Sequence, residues 1–163
     1  NATIRTTQAI TMISGGVKDN LLPREARAVV NFRLLPGDSV AGVCEHARRA
    51  LADKRVTFQP MTGNGVRDAS PVSPTNAAAY TDLARVIRQI FSDAVVAPYL
   101  VLGATDARYY TAICENVYRF SPLRMTEEDL SLVHGTNERI SIEGLGRMVQ
   151  FFGQLIRIWG ERV

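Results

Sequence analysis

One stretch of this sequence, Thr62–Thr75, separates two parts that have regular apolar patterns. The stretch is dominated by Gly, Asn, Ser and Pro and ends in ASPVSP (residues 69–74). Such residues favour turns and bury little apolar surface, which is typical of a linker between folded units. The 163 residues therefore predict two small domains, residues 1–68 and 69–163, instead of one continuous core.

The composition is that of a soluble globular protein. Hydrophobic residues make up 46% and charged residues 21% of the chain, which excludes a disordered or fibrous protein. No apolar run approaches the roughly 18 residues that a membrane-spanning helix needs, so we expect no membrane partner. The net charge of +3 arises from basic residues scattered among acidic ones. Because they form no basic stripe, no nucleic-acid partner is predicted.

The first domain has the pattern of a mixed α+β fold. Thr6–Ile13 is rich in Thr and Ile, and Glu25–Leu35 alternates apolar and polar residues, so both stretches predict strands. Ser39 is a suitable N-cap for a helix over Ser39–Asp53, where apolar residues recur at helical spacing. A further short strand is predicted over Val56–Met61.

The second domain has an α/β pattern, and an α/β class is predicted for the whole chain. An N-cap at Asn76 is expected to start a helix that reaches Phe91. Buried strands are predicted over Val95–Leu102 and Asn116–Phe120. Between them, the turn Gly103–Arg108 is expected to lead into a short helix.

The C-terminal part of the sequence predicts a polar loop followed by a long amphipathic helix. The loop covers Pro122–Ser141 and includes a helical turn at Thr126–Leu130. The apolar stripe of the final helix comprises Ile142, Leu145, Met148, Val149, Phe152, Leu155, Ile156 and Trp159.

The two cysteines, Cys44 and Cys114, lie far apart in the sequence and form no CxxC pair. This arrangement argues against a disulfide framework and against a zinc site built from cysteines. Both side chains are expected to be small buried hydrophobes.

His134 lies in a polar loop, where a neutral imidazole can bind zinc or transfer protons. It can equally be a loop histidine with a satisfied hydrogen bond. No other cluster of His, Cys and carboxylate residues has the spacing of metal ligands. His46, the other histidine, is expected on the charged, solvated face of the predicted helix Ser39–Asp53.

The turn Gly103–Arg108 follows a predicted strand and begins a helix. Gly103 lets the backbone approach a ligand closely, and the Thr105 hydroxyl with nearby free N–H groups can hold an anion or a developing oxyanion. Alternatively, Thr105 or Asp106 caps the helix, and Arg108 balances the charge of Asp106. The turn lacks the GxxxxGK[ST] pattern of a P-loop.

Asn20 and Arg33 form a third candidate pair. Arg33 lies on the polar face of its predicted strand, where a planar guanidinium can bind a carboxylate through two hydrogen bonds. The alternatives are a cross-strand ion pair for Arg33 and a turn role for Asn20.

Taken together, several segments resemble M20-family metallopeptidases. GVKDNLLP (16–23) and AVVNFRLLPG (28–37) resemble the lid, or dimerisation, domain of that family. GATDARYY (103–110) resembles its Gly-x-Thr-Asp-x-Arg segment. NVYRF (116–120) and HGTNERI (134–140) resemble its closing strand and its last metal-ligand loop. The similarity is greatest to the branch of carboxypeptidase S (Gly-X carboxypeptidase) and N-acyl-amino-acid hydrolases.

This resemblance implies both an architecture and an activity. Residues 1–68 would form part of a ferredoxin-like lid, and residues 69–163 the C-terminal part of an α/β zinc-exopeptidase catalytic domain. The implied enzyme is a homodimer, formed through the lid, with two zinc ions per complete active site. It hydrolyses the amide bond next to a free carboxylate in a peptide or an N-acyl amino acid, using a metal-bound water that a glutamate deprotonates.

The resemblance also implies a role for individual residues. His134 matches the histidine that binds one zinc ion. The residues matched to substrate contacts are Asn20, Arg33, Gly103 and Thr105, with Asp106 and Arg108 supporting the pocket.

In such enzymes the general-base glutamate and the other zinc ligands precede the segments found here, so none of the residues present is expected to be catalytic. One histidine cannot hold two zinc ions, and we expect this polypeptide alone to be inactive and not to bind zinc stably. The alternative is a non-catalytic dimerisation or interaction module that assembles through the predicted helix Ser39–Asp53 and an open strand edge.

Overall fold

The computed structural model describes residues 2–63 and 65–161. It divides the chain into two compact units, unit 1 (Asn1–Val72) and unit 2 (Ser73–Val163). The division lies inside the predicted linker, a few residues after the predicted boundary at residue 68. The assignment of the two parts to a lid and to part of a catalytic domain stays a prediction.

Unit 1 contains a two-stranded antiparallel sheet of β1 (Thr7–Gly15) and β2 (Ala26–Arg33). Thr7 lies opposite Arg33 at one end and Gly15 opposite Ala26 at the other, with an irregularity between Ile10 and Met12. Both strands lie where the sequence predicts them. The alternation of apolar and polar residues in β2 is only partly reflected in their burial. Phe32 is half-buried, but both faces of the sheet are largely exposed.

Helix α1 (Val40–Leu51) follows the sheet and has the predicted cap, since the Ser39 side chain accepts a hydrogen bond from the backbone N–H of Gly42. Cys44 is buried on this helix, as predicted. The helix ends at Ala52, whose φ of 47° is left-handed. The strand predicted over Val56–Met61 is wrong, because this segment pairs with no strand among the described residues.

Unit 2 contains the helices α2 (Ala78–Ile90), α3 (Ala107–Tyr110), α4 (Glu127–Leu132) and α5 (Ile142–Gly160). Its core lies between α2 and α5 and comprises Leu83, Val86, Ile87, Phe91, Phe151 and Leu155. The predicted cap of α2 by Asn76 is wrong. Ala77 occupies the N-cap position and provides no side-chain hydrogen bond.

Helix α5 buries a different face from the one that its apolar spacing predicts. Phe151, outside the predicted stripe, is only 1% exposed, whereas Val149 and Ile156 within the stripe are 66% and 69% exposed. Leu155 is the stripe residue that the core buries. A single neighbouring helix, α2, can cover only one side of α5, so its second apolar side faces outward.

The strands predicted in unit 2 do not form. Val95–Leu102 and Asn116–Phe120 are irregular, and Val95 is 93% exposed. A strand needs a neighbour to satisfy its backbone groups, and the described part of unit 2 offers no sheet for either segment. The chain nevertheless combines a two-stranded antiparallel sheet with helices, and this mixture agrees with the predicted α/β class and its α+β lid.

Two further expectations concern single residues and membrane crossing. The predicted burial of Cys114 is wrong, since this side chain is exposed, and both cysteines are free. Within residues 2–63 and 65–161, none of the helices combines the length and the apolar character that crossing a bilayer requires.

Candidate functional site

His134 lies in a tight loop just after α4. The start of that helix carries a capping box, in which the Thr126 hydroxyl accepts from the Asp129 backbone N–H and the Asp129 carboxylate accepts from the Thr126 N–H. The hydrogen bonds that the Asp129 carboxylate accepts from the Thr126 backbone N–H and hydroxyl hold the pKa of Asp129 below its usual value. The helix ends at Leu132, so α4 fixes where the loop begins.

The backbone of the loop directs the His134 side chain outward. His134 has a left-handed φ of 63°, and its N–H donates to Oε2 of Glu138 at 3.1 Å. Gly135 donates its N–H to the carbonyl of Leu132 at 2.9 Å and closes the turn. The His134 side chain is exposed, which leaves its imidazole accessible.

The residues near His134 do not fit a complete metal centre. In the part of the chain that the structure describes, His, Cys, Asp and Glu side chains nowhere form a group of three that could hold a metal ion. Zinc requires three or four protein ligands in nearly all sites. The described residues therefore cannot form a zinc centre by themselves.

The Gly103 turn contains one specific side-chain contact. Nε of Arg119 donates to Oγ1 of Thr105 at 3.1 Å. Asp106 stands at the N-cap of α3 but makes no capping hydrogen bond with its side chain, so the capping alternative is not what the structure shows. A Cβ built on Gly103 would meet no atom within 4 Å, so nothing described here requires glycine at that position.

Arg108 is held by its neighbour in the sequence. Its Nη2 donates to the hydroxyl of Tyr109 at 2.8 Å, and its guanidinium lies 4.7 Å from the centre of that ring. The Arg108 backbone N–H donates to the Thr105 carbonyl at 3.3 Å. The expected ion pair between Arg108 and Asp106 is not among the salt bridges of the described residues. Arg108 thus packs beside the turn, with its charge unneutralised by Asp106.

Arg119 follows two residues that are anchored to the chain at Ser73 and Pro74. Ser73 Oγ accepts from the Val117 N–H at 2.9 Å and donates to the Val117 carbonyl at 3.0 Å. The hydroxyl of Tyr118 donates to the Pro74 carbonyl at 2.6 Å, and burial raises the pKa of this phenol. These contacts fix the backbone on the N-terminal side of Arg119.

Arg119 is a candidate site residue that the sequence pattern does not predict. Its contact with Thr105 joins residues 14 positions apart, which no local pattern reveals. The available signal was the alternation in NVYRF, which places Tyr118 and Phe120 on one side of an extended chain and Arg119 on the other.

Asn20 and Arg33 both lie in unit 1. Asn20 is exposed in the connection between β1 and β2, where the Leu21 N–H donates to the Lys18 carbonyl at 3.3 Å. Arg33 is the last residue of β2, opposite Thr7, and is exposed. The cross-strand ion pair considered for Arg33 is not among the salt bridges of the described residues.

Two clefts lie away from these residues. A cleft of about 370 Å³ in unit 1 is lined by the end of α1, Asp53 and Phe58. A second cleft, of about 420 Å³, lies in unit 2 and is lined by Ile87, Phe91, Asp93, Ala94, Val95, Val96, Ala97, Phe120, Leu123 and Arg124. Arg124 forms an ion pair with Asp93, whose pKa it lowers. None of the predicted site residues lines either cleft.

Comparison with known protein families gives a match for most of unit 1. Residues 1–59 match the family model described as "Peptidase dimerisation domain", of the M20 type. Residues 1–59 are similar to an M20 peptidase dimerisation domain. This domain includes β1, β2 and α1, and therefore Asn20 and Arg33; Gly103, Thr105 and His134 lie beyond it.

Curated relatives match the M20 dimerisation domain and nearly all of the chain beyond it. The chain is 40% identical over 158 residues to the N-fatty-acyl-amino acid synthase/hydrolase PM20D1 of Xenopus tropicalis, covering 96% of this chain and 30% of that protein. It is 37% identical over 153 residues to the probable carboxypeptidase S-like 2 of Dictyostelium discoideum, covering 94% and 29%. Carboxypeptidase S of Saccharomyces cerevisiae is 29% identical over 170 residues, covering 86% and 29%.

The chain thus spans less than a third of the length of these curated relatives. No solved structure gives a significant match. The resemblance to the M20 family and to its carboxypeptidase S and acyl-amino-acid hydrolase branch is confirmed, and the M20 family implies zinc in the parent enzymes.

Proposed function

We propose that this chain provides the dimerisation domain and the C-terminal part of a zinc-dependent hydrolase that cleaves the amide bond next to a free carboxylate. The observation that carries this proposal is the extent of the similarity. It covers 94–96% of the chain in relatives named as a carboxypeptidase and as an acyl-amino acid synthase/hydrolase, well beyond the 59 residues of the dimerisation domain. The substrate is a peptide or an N-acyl amino acid.

The substrate carboxylate is bound by Arg33, with Asn20 nearby in the sequence of the same domain. Arg33 is exposed and forms no ion pair with a described residue, so both edges of its guanidinium are available. A guanidinium can donate two parallel hydrogen bonds to one carboxylate, which gives orientation as well as attraction. In unit 2, Gly103 and Thr105 contact the substrate, and Asp106 and Arg108 support the pocket.

His134 contributes one zinc ligand. Its exposed imidazole supports this role, while the described residues do not complete a zinc centre. A complete active site, with two zinc ions, needs ligands that the described residues do not bring together. We therefore assign no catalytic step to the chain by itself and expect it to be inactive alone.

The test uses the purified chain with and without added zinc. Metal content is measured by mass spectrometry, and hydrolysis is measured with N-acyl amino acids and Gly-X dipeptides. We expect less than one zinc per chain and no turnover, together with measurable binding of an N-acyl amino acid but not of its neutral amide. Zinc-dependent turnover would contradict the proposed inactivity, and equal binding of the amide would contradict the carboxylate site.

The dimerisation domain supports a homodimer formed through unit 1. In a two-stranded sheet each strand has one unpaired edge, and β1 and β2 form such a sheet here. Light scattering over a range of concentrations is expected to give twice the mass of one chain. A monomer at all concentrations would contradict this assembly.

A non-catalytic dimerisation module is the second candidate. The match of residues 1–59 to a dimerisation domain and the lack of a metal cluster among the described residues both fit it. The two functions differ in one observable property. A pure interaction module dimerises without any preference for N-acyl amino acids over their amides, whereas a hydrolase part retains that preference.

A further inference from the structure

Arg119 is held rigidly beside the Gly103 turn by the packing of its neighbours. Tyr118 packs against Tyr80 of α2, with the ring centres 5.5 Å apart, and Phe120 packs against Phe151 of α5 at 5.2 Å. Successive side chains of an extended segment point to opposite sides. Because Tyr118 and Phe120 both face the helices, Arg119 between them faces away and reaches Thr105.

The guanidinium of Arg119 has spare hydrogen-bonding capacity. Among its contacts with described residues, only Nε is engaged, at 3.1 Å from Oγ1 of Thr105. No salt bridge of the described residues includes Arg119, although Glu115 is close to it in sequence and Asp106 follows its partner Thr105. The N–H groups on Nη1 and Nη2 form the outer edge of the guanidinium, the edge that binds a carboxylate through two parallel hydrogen bonds.

The Thr105 hydroxyl can also donate a hydrogen bond to a carboxylate ligand. A hydroxyl has one hydrogen to donate and two lone pairs to accept with. Since Oγ1 already accepts from Arg119, its own hydrogen is directed elsewhere and is available to an anionic acceptor. We propose that Arg119 and Thr105 form a carboxylate-binding pair in unit 2, and that Arg119 also positions the Thr105 hydroxyl. This inference rests on the proposed hydrolase function and gives the substrate carboxylate a second candidate binding group, in unit 2, in addition to the candidate Arg33 in unit 1.

Arg108 does not duplicate this pair. Its Nη2 is already bonded to the Tyr109 hydroxyl, and its Nε is buried. The side chain therefore presents less of its guanidinium to a ligand than Arg119 does. This difference assigns carboxylate binding to Arg119 and a packing role to Arg108.

The inference is tested by nuclear magnetic resonance on the ¹⁵N-labelled chain. The probe is N-acetylglycine, and the matched control ligand is the neutral N-acetylglycinamide. We expect N-acetylglycine to shift the side-chain Nε–H signal of Arg119 and the backbone N–H signal of Thr105, and the amide to leave both in place. Equal shifts with both ligands, or none with N-acetylglycine, would overturn the proposal.

Variants separate the pair from a general charge effect. Arg119→Gln and Thr105→Val are each expected to weaken N-acetylglycine binding about two- to fivefold, the range for an exposed charged contact. Thr105→Ser keeps the hydroxyl and is expected to restore binding. Arg88→Gln removes the same charge from α2, and Thr81→Val removes a hydroxyl that bonds within α2; both are expected to bind like the unchanged protein. Equal losses in these controls would overturn the assignment.

One comparison distinguishes this inference from the proposed function. If Arg33→Gln lowers N-acetylglycine binding and Arg119→Gln does not, the Arg119 site is wrong and the proposed function stands. If Arg119→Gln lowers binding and Arg33→Gln does not, the Arg119 site stands and the role proposed for Arg33 is wrong.

Discussion

At the scale of single residues, Arg33 and His134 are exposed and Arg119 is half-buried, and none of these three side chains pairs with an acidic side chain among the described residues. Arg33 ends a strand, Arg119 bonds only a hydroxyl among the described residues, and His134 is turned outward by a left-handed backbone. A surface arginine normally gains little from a surface acid. Leaving the guanidinium unpaired therefore costs little stability and keeps it available for a carboxylate ligand.

Replacement of Arg33 by lysine tests its geometry separately from its charge. Arg33→Lys is expected to weaken binding of an N-acyl amino acid several-fold, because a point charge replaces a two-pronged donor. Zinc content is expected to stay the same. Arg27→Lys on the same strand, where Arg27 pairs with Glu25 at 3.5 Å, is the matched control. Calorimetric titration measures both, and unchanged affinity in Arg33→Lys would argue against the carboxylate role.

The Asp129 carboxylate makes the start of α4 sensitive to acid. Its pKa is lowered from 3.8 chiefly by the hydrogen bond from the Thr126 backbone N–H. A lowered folded-state pKa means that the contribution to stability is present above the unfolded pKa and is lost as the pH falls through the folded value. We expect the protection of α4 amides, measured relative to the intrinsic exchange rate at the same pH, to fall below about pH 4. In Asp129→Asn this pH dependence should be absent, and its persistence would point to another group.

At the scale of elements, α5 depends on a few contacts with α2. Phe151 is 1% exposed and packs in the core of unit 2. Phe151→Ala is expected to lower the free energy of unfolding by about 3–5 kcal/mol through lost burial and a cavity. Val149→Ala, at an exposed position of the same helix, is expected to change it by less than about 0.5 kcal/mol. Denaturant titration measures both, and similar losses would mean that α5 packs on the opposite face.

Elements defined by local signals were predictable, and those that need distant partners were not. The strand β2, the Ser39 cap of α1 and the helical turn near Thr126–Leu130 are encoded within a few residues, and the structure shows all three. The apolar run Val95–Leu102 has the composition of a strand but forms none. Strand formation depends on a neighbouring strand, which local sequence does not report.

In the candidate site, too, features that depend on local sequence were predictable and those that depend on distant residues were not. Exposure of Asn20, Arg33 and His134 agrees with their polar sequence context. The contact between Arg119 and Thr105 depends instead on the anchoring of 116–120 by Ser73 and on the core of unit 2. Such a contact is a product of tertiary packing and has no counterpart in spacing or propensity.

At the scale of the whole molecule, the two histidines offer a direct test of metal binding. Residual zinc affinity of the chain is expected to depend on His134, so His134→Ala should abolish it. His46 is exposed on α1, and His46→Ala should leave it unchanged. Isothermal titration with zinc chloride measures both variants. An unchanged affinity in His134→Ala would remove His134 from the proposed ligand set.

The outward apolar side of α5 has a consequence for handling the protein. Ile142 is 91% exposed, and Val149 and Ile156 continue the same exposed apolar surface along the helix. Salts such as ammonium sulphate strengthen the tendency of apolar surface to leave water. The chain should therefore precipitate at a low concentration of ammonium sulphate. It should also increase the fluorescence of a dye that binds apolar surface, even while its core is intact. Val149→Glu should suppress both behaviours.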